Sequence, residues 1–67
     1  MKIFAERLKE LRLEKGLSIE KLAKQIGIGH ASISRWENCQ AIVNGEQLIT
    51  LAKFFNVSID YLLGLAN

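Results

Sequence analysis

Apolar residues in this chain recur at three- and four-residue spacing, but single glycines and small polar residues cut the pattern into five short blocks. Phe4, Leu8 and Leu11 form the first block. Leu22, Ala23 and Ile26 form the second, Ile33 and Trp36 the third, and Leu48, Leu51, Ala52 and Phe55 the fourth. Ile59, Leu62 and Leu63 close the series. This period places each set on one face of an α-helix, so the chain reads as five short helices that must share one core. With no proline anywhere and 49% apolar residues, nothing in the composition opposes that reading.

The interruptions carry the chemistry of helix ends. The first helix is expected over residues 3–15, with Gly16 supplying a left-handed stop. Ser18 can cap a second helix of about two turns, which Gly27 ends. After Gly29 a third helix is expected from His30 to Asn38. The stretch Cys39 to Val43 has no helical repeat, and Asn44 with Gln47 three residues later has the form of a capping box opening the fourth helix. Asn56 can close that helix in a left-handed conformation, and Ser58 can cap the last one before Gly64. No linker or internal repeat divides the 67 residues, so residues 1–67 are expected to form a single all-α domain.

Charge and cysteine usage narrow the function classes. The net charge is only +2. Residues 1–35, however, hold eight Lys/Arg against four Glu, whereas residues 36–67 hold one against three acids. A basic first half is compatible with a nucleic-acid face. One cysteine, Cys39, and one histidine, His30, cannot assemble a four-ligand zinc site or an intrachain disulfide, and no metal or cofactor is expected. They also offer no nucleophile with a base and an orienting group, so an enzyme is not expected. No apolar run approaches the ~20 residues that cross a bilayer, and the first helix mixes Glu6, Glu10 and Glu14 with its bases, unlike a membrane-surface helix. A cytoplasmic setting fits the lone cysteine and the unexported N-terminus.

The segment from Ser18 to Asn38 combines two short helices with a glycine-bearing turn, the unit that can place its second helix in the major groove of DNA. Topology alone does not separate this from plain helical packing. The residues do more. The strings LKELRLEKGLS, KLAKQIGIGHASISRWEN and LAKFFNVSIDYLLG resemble the phage-repressor type, or Xre type, helix-turn-helix family over about residues 4–64. The most specific part runs from Leu22 to Asn38. The resemblance implies a compact five-helix, lambda-repressor-like DNA-binding domain. It also implies sequence-specific binding of double-stranded DNA by a transcriptional regulator, a repressor, with base reading from the start of helix three.

The resemblance carries roles onto particular positions. Gly27 permits the tight reversal, Ile28 plugs the angle between the helices, and Ala23 lets them approach. Arg12 and Glu37 match positions that pair across helices one and three, with part of the guanidinium left for a phosphate. His30, Ala31, Ser32 and Arg35 occupy the base-facing or phosphate-facing places, and Arg35 can donate two bonds to guanine O6 and N7. Phosphate contacts are implied at Ser18 and Ile19, where helix two begins, and at Asn38 and Gln40, with Lys15, Lys21 and Lys24 as further cations. A homodimer through the apolar C-terminal residues Tyr61, Leu62, Leu63 and Leu65 is also implied.

The chain departs from the family pattern at three places: Ile19 replaces a common glutamine, Gly29 replaces the Ser or Thr cap, and residues 39–43 lack basic residues and proline. The weak phosphate loop sharpens an alternative, a protein-interaction module that keeps the fold without specific DNA binding.

Overall fold

The computed structural model describes residues 1–66. It contains α1 (Lys2–Glu14), α2 (Ile19–Ile26), α3 (His30–Glu37), α4 (Gly45–Phe55) and α5 (Ile59–Leu63). Each start and stop has a local cause. The Ser18 and Ser58 hydroxyls accept from the backbone NH groups of Lys21 at 3.1 Å and Tyr61 at 2.9 Å, which makes them the caps of α2 and α5. Such a cap contributes about 1 kcal/mol. Asn44 and Gln47 form the reciprocal capping box of α4, with bonds of 2.8 and 2.9 Å. At the other ends, Gly27 (φ 71°), Asn56 (φ 54°) and Gly64 (φ 80°) adopt the left-handed conformation that stops α2, α4 and α5. Gly16, also left-handed, lies two residues past the last residue of α1.

The apolar stripes of all five helices meet in one core. Phe4 and Leu8 from α1, Leu22 from α2, Ile33 and Trp36 from α3, Leu51 and Phe55 from α4 and Leu62 from α5 are buried together, with Val43 from the connecting loop. Burial of each such side chain contributes roughly 1.5–3 kcal/mol before the entropy of ordering is set against it. Phe4 meets Trp36 edge to face, ring centroids 6.2 Å apart, which fixes α1 against α3. α2 packs on α3, and α5 bridges α1 and α4. With only five residues, α5 is too short to persist alone. The buried Leu62 seats it, and Arg7 of α1 holds its end by donating to the carbonyls of Tyr61 and, at 2.7 Å, Ala66.

The loop between α3 and α4 contains a strained point. Cys39 is exposed with φ 58°, a left-handed conformation that a residue with a Cβ adopts at a cost of ~1 kcal/mol. Gly27 has the same geometry without that cost, and a Cβ built there would meet no atom within 4 Å. The penalty for a side chain at Gly27 is therefore a backbone penalty alone. Gly27→Val is expected to lower stability by more than ~1 kcal/mol, and Gly27→Asn by much less, because Asn tolerates this region. Thermal melts of the two variants check it; equal midpoints for Val and parent would place the tight turn elsewhere.

Candidate nucleic-acid interface

The outer face of α3 is set by what its inner face buries. Ile33 and Trp36 are 0% and 2% exposed, so the residues opposite them must face away from the core. His30, Ala31 and Arg35 are exposed. Ser32 is only half-buried rather than open, because it lies one turn before Trp36 and shares its flank of the helix. Ser34 is half-buried as well, on the other flank of the exposed face, one turn after His30 and one turn before Asn38.

α3 is held from behind by an ion pair. Arg12 Nε donates to Glu37 Oε2 at 2.7 Å and Arg12 Nη2 to Glu37 Oε1 at 2.9 Å, a two-bond fork between α1 and α3. Arg12 Nη1 donates to the Leu17 carbonyl at 2.8 Å. The two side chains are 9% and 6% exposed. The guanidinium is thus turned inward, and three of its five N–H donors are spent within the protein. Its hydrogen bond to Glu37 is the main reason that the Arg12 pKa is raised above the ordinary arginine value; burial opposes this, and the Glu37 charge adds to it. Arg12 therefore keeps its positive charge.

The positions implied for phosphate contact differ in what they offer. At the start of α2, Ser18 is exposed and Ile19 is half-buried against the core, so Ile19 can contribute its NH and not its side chain. NH groups in the first turn of a helix have no intrahelical acceptor, and they point outward with the positive end of the dipole. After α3 the situation is reversed. The NH of Asn38 donates to the Ser34 carbonyl at 3.0 Å and that of Gln40 to the Arg35 carbonyl at 2.7 Å. Both are spent on closing the helix, leaving only side chains there. Among the lysines, Lys21 and Lys24 are exposed on α2, and Lys24 flanks an open groove with Glu20, Ile28 and His30. Lys15 sits 5.4 Å from the centre of the Phe54 ring and so faces α4.

Residues 8–62 match the family described as helix-turn-helix. The chain belongs to the helix-turn-helix family. Over 60 residues it is 43% identical to the HTH-type transcriptional activator BcrR of Enterococcus faecalis, covering 90% of this chain and 29% of that protein. It is 34% identical over 61 residues to repressor protein C2 of Salmonella phage P22, 91% of this chain and 28% of that one. It is 36% identical over 59 residues to the HTH-type transcriptional regulator ImmR of Bacillus subtilis strain 168, 88% of this chain and 46% of the relative. The resemblance to phage repressors seen in the sequence is thus matched by a named phage repressor. This helix-turn-helix chain spans under two thirds of the length of the curated relatives it matches. Their names include an activator and a repressor, so the fold is shared by regulators of both signs.

Removing one partner of the ion pair should be costly. Glu37→Gln leaves the inward-facing guanidinium without its counter-charge and is expected to lower stability by about 3 kcal/mol in urea denaturation. The double replacement Arg12→Met with Glu37→Leu should recover most of that loss, because no buried charge is then left unpaired. If Glu37→Gln is as stable as the parent, the fork does not hold α3.

Proposed function

We propose that this chain is the DNA-binding part of a cytoplasmic transcriptional regulator, which inserts α3 into the major groove of duplex DNA and binds selected sequences. The outward face of α3 carries the reading: His30, Ala31 and Arg35 project, with Ser32 and Ser34 half-buried at its edges, from a helix whose opposite face is locked into the core and into the Arg12–Glu37 fork. Arg35 supplies the one planar fork on this face, suited to guanine O6 and N7. Ala31 can meet a thymine methyl, and His30, Ser32 and Ser34 can donate or accept. The first turn of α2, at Ser18 and Ile19, serves as the phosphate anchor through its outward NH groups. Lys21 and Lys24 add sequence-independent charge. The relatives named as transcriptional regulators support the same reading.

Electrophoretic mobility against random duplex tests the class of function. Retardation at low salt that falls steeply as salt rises is expected; a chain that ignores duplex at low salt is instead a protein-interaction module. Within DNA binding, two substitutions separate reading from anchoring. Arg35→Ala should cost ~1–3 kcal/mol of discrimination at one base pair. Lys24→Ala should weaken all sequences about equally and reduce the log–log salt slope by about one. Full sequence preference in folded Arg35→Ala would remove Arg35 from the reading face.

The regulator is further proposed to act as a homodimer joined near the C-terminal helix, with half-sites roughly 34 Å apart. Leu62 is buried in the core and Tyr61 lies beneath Arg7, whose guanidinium carbon is 4.3 Å from the ring centre. The apolar surface open at this end belongs to Leu65, 75% exposed, and Ile3, 49% exposed and next to Gly64. Leu65→Glu should therefore weaken association more than it weakens folding. Sedimentation velocity over a concentration series checks this; a parent chain that stays monomeric and binds a palindrome one to one rules the dimer out.

A further inference from the structure

The end of the chain is fastened to α1 at one place. Arg7 Nη1 donates to the carbonyls of Tyr61 and, at 2.7 Å, Ala66, and its guanidinium carbon lies 4.3 Å from the centre of the Tyr61 ring. Among the described residues, the side-chain hydrogen bonds from α1 to this end of the chain all come from Arg7. The cation stands at the carbonyl end of α5, where the peptide dipoles leave partial negative charge. The turn it holds is closed on itself, because the Asp60 carbonyl accepts from the NH groups of Leu65 at 2.8 Å and Ala66 at 3.3 Å. Ile3, one turn before Arg7 on α1, lies against the same turn. A Cβ on Gly64 (φ 80°) would come 2.8 Å from Ile3 Cγ2. Beneath these contacts Leu62 is the one buried side chain of α5.

The remaining helices are joined by other means. The Arg12 fork reaches Glu37 and the Leu17 carbonyl, Phe4 meets Trp36, and α2 packs on both α3 and α4. Loss of α5 breaks none of these. We propose that residues 58–66 form a strap that opens as a unit while α1–α4 stay folded, with Arg7 as its latch. The hinge is the junction of Val57 and Ser58, since the Val57 NH is still bonded back to the Ala52 carbonyl of α4 at 3.0 Å. A helix of five residues cannot persist once undocked, and an element with one buried anchor opens more readily than the domain unfolds. The α2–α3 unit keeps its placement in the open form, so motion at the end of the chain is separated from the outward face of α3.

Amide hydrogen exchange of the folded chain, followed by NMR over a series of low urea concentrations, tests this. The NH of Leu62, which donates to the Ser58 carbonyl, and that of Leu65 should share one protection factor, at least ~10-fold below those of Ile33 and Leu51. Their exchange should respond weakly to urea, because the opening exposes little surface, whereas that of Ile33 and Leu51 should respond steeply. Arg7→Ala should speed exchange at Leu62 and Leu65 by about 10- to 100-fold, and Arg7→Lys, which keeps the charge without the planar fork, by less. Ser18→Ala removes the cap of α2 and is present in closed and open forms alike. It should lower protection of Ile33 and Leu51 by about 5-fold and leave Leu62 and Leu65 unchanged. Circular dichroism checks that each variant is folded. Equal urea dependence at all four amides in the parent would make α5 part of a single cooperative unit and overturn the strap, as would an equal loss at all four in Ser18→Ala. Unchanged exchange at Leu62 and Leu65 in folded Arg7→Ala would remove Arg7 as the latch.

Discussion

The arrangement of the outer surface depends on where one guanidinium spends its hydrogen bonds. Arg12 reaches Glu37 near the end of α3 with two bonds and the Leu17 carbonyl with a third. Leu17 immediately precedes Ser18, the residue that caps α2. One side chain thus ties the end of α3 and the start of α2 to α1. In a domain this small the apolar core sets which faces are buried, but it leaves helices free to slide by fractions of a turn. A planar fork allows less slack. It has two parallel bonds to satisfy, and a buried charge that loses them is penalised by several kcal/mol. Replacement by lysine would keep the charge and lose the geometry.

This division of labour explains why the local signals in the sequence locate the elements so closely. The caps at Ser18, Asn44 and Ser58 and the left-handed stops at Gly27, Asn56 and Gly64 act within four residues of one another, so sequence proximity and physical contact coincide. The third helix was expected to run through Asn38 and instead ends at Glu37 with Asn38 as its cap. That difference matters chemically, because the cap position turns the Asn38 side chain back onto Ser34.

Contacts between distant residues were legible only where the family resemblance supplied them. The Arg12–Glu37 pairing spans 25 positions and has no signature in periodicity or charge spacing. The bond from Arg7 to the Tyr61 carbonyl spans 54, and neither residue type announces it. The sequence likewise could not show that the NH groups of Asn38 and Gln40 are spent. Their acceptors lie one turn back, and a segment without helical periodicity gives no indication that its first residues still complete the helix.

The two ends of α3 are electrostatically unlike, and that asymmetry bears on how such a domain can meet DNA. The first turn offers outward NH groups and Gly29, a cap with no side chain to occupy them. The last turn offers carbonyls already bonded by Asn38 and Gln40, with Arg35 as its one basic residue. A polyanionic backbone is therefore attracted to the start of α3 and to the start of α2, and is indifferent or unfavourable toward the end of α3. Base edges impose a different requirement, since they present donors as well as acceptors. The exposed polar residues His30, Arg35 and Asn38 spread donors and acceptors along the length of α3. On the DNA-binding reading proposed above, matching that polarity to the groove would select sequence, and the exposed Lys21 and Lys24 of α2 would add sequence-independent affinity.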